Sequence, residues 1–264
     1  MLRIGLLTDY HYAADDGDIG RRRTQGAERL RRALPQIMQG DLEYIVPLGD
    51  MIDHAGSVAE QHAHLEEMMA IFRATGQDIR PVLGNHDVAC FDKAALLHAY
   101  GLRRKGAYYA WDHAPWRLIV LDTNFFADGT DITPDHQPAH WRDNALGKRQ
   151  LAWLASELRG AGDRPVAVFA HACLDPRDGD VDGLDDHNVR DCRAASEIIT
   201  SAGNVRVVFQ GHDHAGRFEQ IEGTRFITLR GACEGDDNVS AGIAYCAEDG
   251  TCHFAGFGAQ PEWL

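Results

Sequence analysis

The sequence lacks the features that mark membrane, disulfide-rich and nucleic-acid-binding proteins. Its longest apolar runs fall far short of the roughly 20 residues that a membrane-spanning helix needs. Its six cysteines include no CxxC pair, which argues against a zinc ribbon and indicates free thiols. Basic residues number 26 against 40 acidic ones, so the formal net charge of -14 should repel nucleic acid polymers and anionic membranes. Neither is therefore an expected partner.

The chain also has no Pro/Gly/Ser-rich linker and no room for a signal peptide. The first candidate metal ligand, Asp9, comes so early that the charged and apolar regions of an export signal do not fit before it. We therefore expect a cytoplasmic protein in which residues 1–264 form a single domain. Hydrophobic residues make up 44% and charged residues 25% of the chain, values typical of a globular protein with a packed core.

Short apolar runs alternate with longer segments of helical period, which is the pattern of an α/β protein. A helix is expected to open at Thr24 or Gln25, although Pro35 should kink or shorten it. After His214 the pattern becomes rich in strands, so we expect residues 217–258 to build strands onto a second sheet. The buried strands predicted before that point are Ile4–Thr8, Tyr44–Leu48, Arg80–Leu83, Leu118–Asp122, Val166–Ala170 and Val205–Gln210.

Side chains that bind metals follow five of these strands. In open α/β sheets, ligand sites collect beyond the carboxyl ends of the strands, so these groups can converge on one crevice. A single Asp-x-His is common by chance, and it is the joint order of the groups that core histidines or solvated loops do not explain. The groups are Asp9-Tyr10-His11, Gly49-Asp50, Gly84-Asn85-His86-Asp87, His171 and Gly211-His212-Asp213-His214.

Mixed carboxylate and imidazole donors suit Mn²⁺, iron or Zn²⁺ better than Ca²⁺ or Mg²⁺. Two ions about 3.5–4 Å apart usually share a carboxylate, and Asp50, directly after a glycine, is the natural bridge. His212 and His214 would point to opposite faces of a simple strand. A turn after Gly211 could instead direct one of them to each ion.

In this order the motifs resemble those of the calcineurin-like metallophosphoesterase superfamily over residues 9–214. The resemblance implies an αββα sandwich of two mixed β-sheets flanked by helices, with two divalent cations (Mn²⁺, Fe²⁺/Fe³⁺ or Zn²⁺) at the strand ends. It also implies that His86 and Asn85 face the substrate and that Asp53 orients His86. The implied ligands are Asp9, His11, Asp50 and His214 for one ion, and Asp50, Asn85, His171 and His212 for the other.

Within that superfamily, four stretches narrow the resemblance: residues 9–13, 21–23, 211–217 and 226–232. They are similar to stretches of the Mn²⁺-dependent ADP-ribose/CDP-alcohol diphosphatases, which often carry glutamine where this chain has His11. The likeness implies that Arg22 and Arg23 contact a second phosphate, since guanidinium groups bind phosphate in a bidentate manner. The alternative is that both arginines lie on a solvated loop before a helix.

The expected reaction is hydrolysis of a phosphodiester or a nucleoside-diphosphate-type pyrophosphate bond in a small phosphorylated substrate. A hydroxide bridging the two metals would attack phosphorus in line, and protonated His86 would assist the leaving oxygen. The alternatives are a cyclic-nucleotide or glycerophosphodiester phosphodiesterase, a phosphomonoesterase, and a non-catalytic scaffold. A scaffold predicts broken ligand positions, whereas every proposed position here carries a coordinating side chain.

An acidic segment follows His171, with seven aspartates between residues 175 and 191. Residues 178–183 match the first half of a calcium-binding EF-hand loop, but Val189 stands where that loop has its final glutamate. We expect a solvated, mobile loop beside the active site, and a third, calcium-type site is the alternative.

Overall fold

Two mixed β-sheets lie face to face with helices on both outer sides. The structure, a computed structural model, describes residues 1–17, 20–103, 106–179, 183–235 and 239–262. The strands in these ranges are β1 (Leu2–Leu7), β2 (Tyr44–Pro47), β3 (Tyr109–His113), β4 (Trp116–Val120), β5 (Val166–Phe169), β6 (Val205–Gln210), β7 (Arg217–Ile221), β8 (Thr224–Thr228), β9 (Ser240–Cys246) and β10 (Cys252–Gly258).

The described residues also form six α-helices and two short 3₁₀ turns. Pro35 lies inside the first of them, which still continues to Met38. Within the described ranges, no helix is both long and apolar enough to cross a bilayer. The helices are α1 (Gly26–Met38), α2 (Val58–Ala74), α3 (Asn85–Cys90), α4 (Lys93–Ala99), α5 (Gly147–Ala161) and α6 (Cys192–Ser201), with 3₁₀ turns at Arg23–Gln25 and Trp141–Asp143.

One sheet has four strands in the order β10-β9-β1-β2, and the other has six in the order β3-β4-β5-β6-β8-β7. β1 and β2 run parallel, and so do β4, β5, β6 and β8. Parallel neighbours place their carboxyl ends at the same edge of a sheet. The loops after β1 and β2, and those after β5 and β6, therefore leave their sheets side by side.

Three apolar layers hold the sandwich together. Between the sheets, Ile4 and Leu6 of β1 belong to the same cluster as Phe169 of β5 and Phe209 of β6. On the outer faces, α1, α2 and α4 pack against the four-stranded sheet, and α5 and α6 pack against the six-stranded one. Central strands buried on both faces explain the continuous apolar runs of the sequence. The predicted fold class, an αββα sandwich, is confirmed.

The predicted strand Arg80–Leu83 is wrong. The segment lies along β2, where the Arg80 and Val82 N–H groups donate to the carbonyls of Ile45 and Pro47 at 2.9 and 2.8 Å. Pro47 has no N–H with which to return the next hydrogen bond, so the ladder does not continue. The segment thus follows the sheet without becoming one of its strands.

The strands after residue 216 are divided between the two sheets, which corrects the expectation that residues 217–258 build onto one second sheet. β7 and β8 form a hairpin at the edge of the six-stranded sheet, whereas β9 and β10 join β1 in the four-stranded sheet. The β7–β8 turn is Glu222-Gly223, with φ of 48° and 86°. Two positive φ values are the geometry of a two-residue type I′ hairpin turn.

Part of the acidic segment is tied into the core, which corrects the expectation of a solvated, mobile loop. Asp175 is buried and accepts a hydrogen bond from Nε of the buried Arg177 at 2.8 Å. Arg177 also donates to Asp213 Oδ2 at 2.6 Å and to Thr228 Oγ1 at 2.7 Å. The candidate calcium loop at 178–183 includes residues 180–182, which lie outside the described residues.

We expect Asp175→Ala to lower the free energy of unfolding by about 3–5 kcal/mol, because it leaves the Arg177 charge buried beside a single carboxylate. The matched control is Asp178→Ala on the same segment, where the side chain is exposed and the change should stay within about 0.5 kcal/mol. Urea unfolding followed by circular dichroism measures both. Equal stability of the two variants would contradict the buried ion pair.

Candidate metal centre

Four loops that follow strands meet at one edge of the sandwich. Asp9 follows β1, Asp50 follows β2, His171 follows β5 and His212 follows β6. Within the six-stranded sheet, the Gly211 N–H donates to the His171 carbonyl at 2.9 Å. The loops that carry the sequence motifs therefore lie together.

Four residues of these loops adopt a left-handed backbone conformation. The angle φ is 56° at Asp9, 47° at His11, 53° at Asp50 and 70° at His212. Non-glycine residues pay about 1–3 kcal/mol each for sparsely populated conformations of this kind, which persist only where the surrounding structure fixes them. At His212 the left-handed residue forms the turn after Gly211, so that His212 and His214 reach different parts of the centre.

Gly84 and Gly211 let the loops approach each other closely. A Cβ on Gly84 would lie 2.0 Å from Asp50 Oδ1, and a Cβ on Gly211 would lie 2.3 Å from Thr8 Oγ1. Neither distance can accommodate a side chain. Glycine is therefore required at both positions by the packing of the Asp50 and Asp9 loops.

Asp9, His11, Asp50 and His214 form one cluster of donor atoms. His11 Nε2 lies 3.6 Å from Asp9 Oδ1, 3.5 Å from Asp50 Oδ2 and 3.2 Å from His214 Nε2. His214 Nε2 lies 3.3 Å from Asp9 Oδ1. Ligand atoms that each stand about 2.0–2.2 Å from one ion are separated by similar distances.

A second cluster consists of Asp50, Asn85, His171 and His212. His171 Nε2 lies 3.2 Å from Asp50 Oδ2 and 3.0 Å from Asn85 Oδ1. The rings of His171 and His212 have centroids 5.0 Å apart. Asp50 Oδ2 thus lies between His11 and His171, in the position expected of a carboxylate oxygen shared by two cations.

Two buried carboxylate oxygens of the centre make no hydrogen bond within the described part of the chain. They are Asp9 Oδ1 and Asp50 Oδ2, both on side chains that are at most 1% exposed. A buried charge is costly unless it is paired with an opposite charge or bound to a metal. The free oxygens and the imidazole nitrogens around them fit a pair of divalent cations.

Protons and cations compete for this centre. Burial opposes protonation of His171, but the charge of Asp50 outweighs burial and raises the pKa of His171 to about 9. Burial likewise opposes protonation of His214, and Asp9 raises the pKa of His214 well above its ordinary value. Because a metal ligand must be deprotonated, cation binding would release these protons.

His86 and Asp53 form an imidazole–carboxylate pair at the rim of the centre. His86 Nδ1 lies 2.9 Å from Asp53 Oδ1, and the His86 side chain is 29% exposed. The other oxygen, Asp53 Oδ2, lies 3.3 Å from His11 Nδ1. Burial opposes protonation of His86, yet the carboxylates of Asp50 and Asp53 raise the pKa of His86. Asp53 therefore links the partly exposed His86 with the buried His11.

The arginine run lies beside this pair. Arg23 contacts two carboxylates, Asp15 at 2.5 Å and Asp53 Oδ2 at 3.3 Å, whereas the Arg22 side chain is 40% exposed. The charge of Arg21, the first residue of the run, opposes protonation of His86. Arg21 and Arg22 also lie near carboxylates, at 3.7 Å from Glu234 Oε1 and 4.0 Å from Asp16 Oδ2, and both side chains are partly exposed.

Sequence reasoning gave no role to Asp87, although it lies within the Gly84-Asn85-His86-Asp87 motif. Its buried carboxylate accepts N–H groups of Asp50, Met51 and Gly84 at 2.9, 3.0 and 2.9 Å. Burial and the nearby Asp50 charge raise the pKa of Asp87 to about 7, while these N–H donors favour its charged form. Asp87 fixes the loop from which Asp50 projects.

Two further residues at the site carry no local sequence signal. His187 lies next to His212, with ring centroids 5.5 Å apart, and its Nδ1 is 2.7 Å from Asp185 Oδ1. Glu234 Oε1 lies 2.6 Å from His214 Nδ1. His187 lies between the last two motifs and Glu234 follows the last one, so only the folded chain shows that they adjoin the centre.

Comparison with known proteins identifies the family of this chain and several solved structures with a similar fold. The model of the calcineurin-like phosphoesterase family matches residues 2–216, a range that contains all the predicted metal ligands. No curated protein sequence matches the chain. A dimetal phosphatase from Danio rerio has a similar structure, with a TM-score of 0.79 and 22% identity over 99% of this chain and 97% of that one.

Two other solved structures share the fold at lower identity. GAP50, the anchor in the inner membrane complex of Plasmodium, has a TM-score of 0.63 and 13% identity over 97% of this chain and 84% of its own. Purple acid phosphatase PPD1 from yellow lupin (Lupinus luteus) has a TM-score of 0.55 and 11% identity, covering 99% of this chain and 52% of its own. Because the family match spans most of its length, the chain belongs to the calcineurin-like phosphoesterase family and is a metal-dependent hydrolase of phosphoric esters.

Proposed function

We propose that this protein hydrolyses a phosphodiester or a nucleoside-diphosphate-type pyrophosphate bond in a small substrate, using two divalent cations (Mn²⁺, iron or Zn²⁺). The observation that carries the proposal is the buried Asp50 Oδ2, which makes no hydrogen bond in the described residues and lies between the Nε2 atoms of His11 and His171, at 3.5 and 3.2 Å. When bound, two cations supply Lewis-acid activation of the phosphoryl group and of water. Asp9, His11, Asp50 and His214 would hold one, and Asp50, Asn85, His171 and His212 the other.

His86 is proposed to act on the substrate directly. Asp53 holds Nδ1 of the ring and leaves Nε2 for the substrate, while the raised pKa of His86 favours the protonated ring. A proton held at Nε2 can stabilise charge on the phosphoryl oxygens or pass to the leaving oxygen. Asp53 orients both His86 and His11, and Arg23 is better placed to hold Asp53 than to bind a phosphate.

The surroundings of the centre favour a substrate with a second substituent or phosphate beyond the scissile bond. A cavity of about 720 Å³ adjoins His214 and is lined by Arg230 and Glu234, among others. Its volume is in the range of small-molecule sites. Arg21, whose Nε lies 3.7 Å from Glu234 Oε1, and the neighbouring Arg22 are proposed to pair with a second phosphate. These features support the diphosphatase-type substrates suggested by the sequence resemblance.

We expect the purified protein to bind two Mn²⁺ ions per chain. Asp50→Asn should lower the affinity for both ions by more than about 100-fold, because loss of a shared ligand should cost more than the 10–100-fold lost with an outer partner of a ligand. His171→Ala should weaken only one ion. Isothermal titration calorimetry measures both sites, with Asp249→Asn at the far end of the sheet as the control. Unchanged binding of two ions by Asp50→Asn would refute the bridging role.

We expect His86→Ala to lower kcat by about 10²–10⁴-fold while two Mn²⁺ ions still bind, because the variant loses the proton donor but no ligand. Steady-state kinetics on bis-p-nitrophenyl phosphate and metal titration on the same samples test this. His253→Ala, an exposed histidine on β10, is the control. Activity above about half of the wild-type value in His86→Ala would exclude the assigned role.

We expect Mn²⁺-loaded protein to prefer ADP-ribose or CDP-choline over cyclic AMP and p-nitrophenyl phosphate. Arg21→Ala and Arg22→Ala should raise KM for the diphosphates by about 10-fold or more each, the loss of a charge-assisted hydrogen bond, with little effect on the monoester. Comparing KM and kcat across the four substrates separates the classes. Equal effects on diphosphate and monoester substrates would count against a clamp on a second phosphate.

A further inference from the structure

We propose that Glu234 is a positioning residue that holds His214 in the tautomer with Nε2 available to a cation, and that Arg29 fixes the segment carrying Glu234. This inference rests on the proposed function, because it assigns a role toward the same pair of cations. Neither residue belongs to a sequence motif of the centre. The two residues come from opposite ends of the chain and meet only at the metal centre.

The His214 ring uses its two nitrogens in different directions. Nδ1 lies 2.6 Å from Glu234 Oε1. Nε2 lies 3.3 Å from Asp9 Oδ1 and 3.2 Å from His11 Nε2, among the donor atoms of the first cluster. A proton donated from Nδ1 to a carboxylate leaves the Nε2 lone pair free, which is how an outer carboxylate sets the tautomer and basicity of a ligating histidine.

Arg29 of α1 holds the backbone of this segment. Its side chain is buried, and its guanidinium donates to the carbonyls of Ala232, Glu234 and Gly235 at 2.6, 3.0 and 2.5 Å. Cys233, which lies between Ala232 and Glu234, donates its N–H to the Asp9 carbonyl at 2.9 Å. The segment is thus fastened both to α1 and to the loop that carries Asp9.

Two other histidines among the proposed ligands follow the same arrangement. His11 Nδ1 lies 3.3 Å from Asp53 Oδ2, and His171 Nδ1 lies 2.8 Å from the Leu48 carbonyl. In each ring an acceptor stands at Nδ1, while Nε2 turns to the donor cluster. Glu234 supplies the corresponding acceptor for His214, with Arg21 Nε 3.7 Å from the same carboxylate oxygen.

We expect Glu234→Ala to lower the affinity for one of the two Mn²⁺ ions by about 10–100-fold and to leave the affinity for the other within about threefold of the wild-type value. Glu234→Gln keeps an acceptor oxygen and should recover part of the loss. In a His214→Ala background, Glu234→Ala should cause no further loss, because the residue acts through His214. Calorimetric titration with Mn²⁺ gives the affinities, thermal unfolding of the metal-free variants monitors the fold, and Glu248→Ala in the distant β9–β10 turn is the matched control.

Three results would overturn the inference. One is wild-type affinity for both ions in Glu234→Ala, and another is the absence of any recovery in Glu234→Gln. The third is an equal loss in Glu234→Ala with and without His214, which would assign Glu234 a general structural role. Each presupposes that wild-type protein binds two ions; if the wild type itself does not, the proposed function fails, which is a separate outcome.

Discussion

The arrangement of this structure depends on two carboxylates, Asp9 and Asp50, that are buried close together. Asp9 and Asp50 are buried at adjacent strand ends, and each keeps one oxygen without a hydrogen-bond donor in the described residues. Uncompensated carboxylates in such a setting oppose folding unless cations or protons join them. The left-handed residues around them add further local cost. The sandwich tolerates this arrangement because three apolar layers hold the strands from which the loops project.

The centre is organised outward through shared carboxylates rather than through independent ligands. Asp53 contacts the buried His11 of the donor cluster and the partly exposed His86, so the orientation of one depends on the other. The Asp87 carboxylate accepts the N–H groups of Asp50 and Met51 and so fixes the backbone around Asp50. Arg177 joins the acidic segment to Asp213 between the two histidines of the last motif. These contacts therefore couple the positions of the donor cluster, of His86 and of the loops that carry them, as expected of a site built from separate strand ends.

Most of the fold could be predicted from the chain because its central strands are buried on both faces and read as apolar runs. The strand at β6 was predicted with its observed bounds, and β1, β2 and β5 within a few residues. β3 was missed, since it is an edge strand with a half-buried, mixed pattern. The prediction of a strand at residues 80–83 failed because Pro47 of the neighbouring β2 has no N–H to donate, and no property of the segment itself reveals this. The division of the last four strands between two sheets depends on pairing partners far away in sequence.

The amino-acid sequence alone determined the identity of the candidate coordinating side chains, their order and their place after strands, because those are local properties of short motifs. It also determined the chemistry of the donors, since carboxylate and imidazole groups select the same class of cation wherever they fold together. Only the tertiary structure decided that Asp50 lies between two clusters, that Arg23 pairs with Asp53, and that Glu234 stands behind His214. Those facts are distances between residues remote in sequence, and distances of this kind exist only once the strands have paired and the loops have packed.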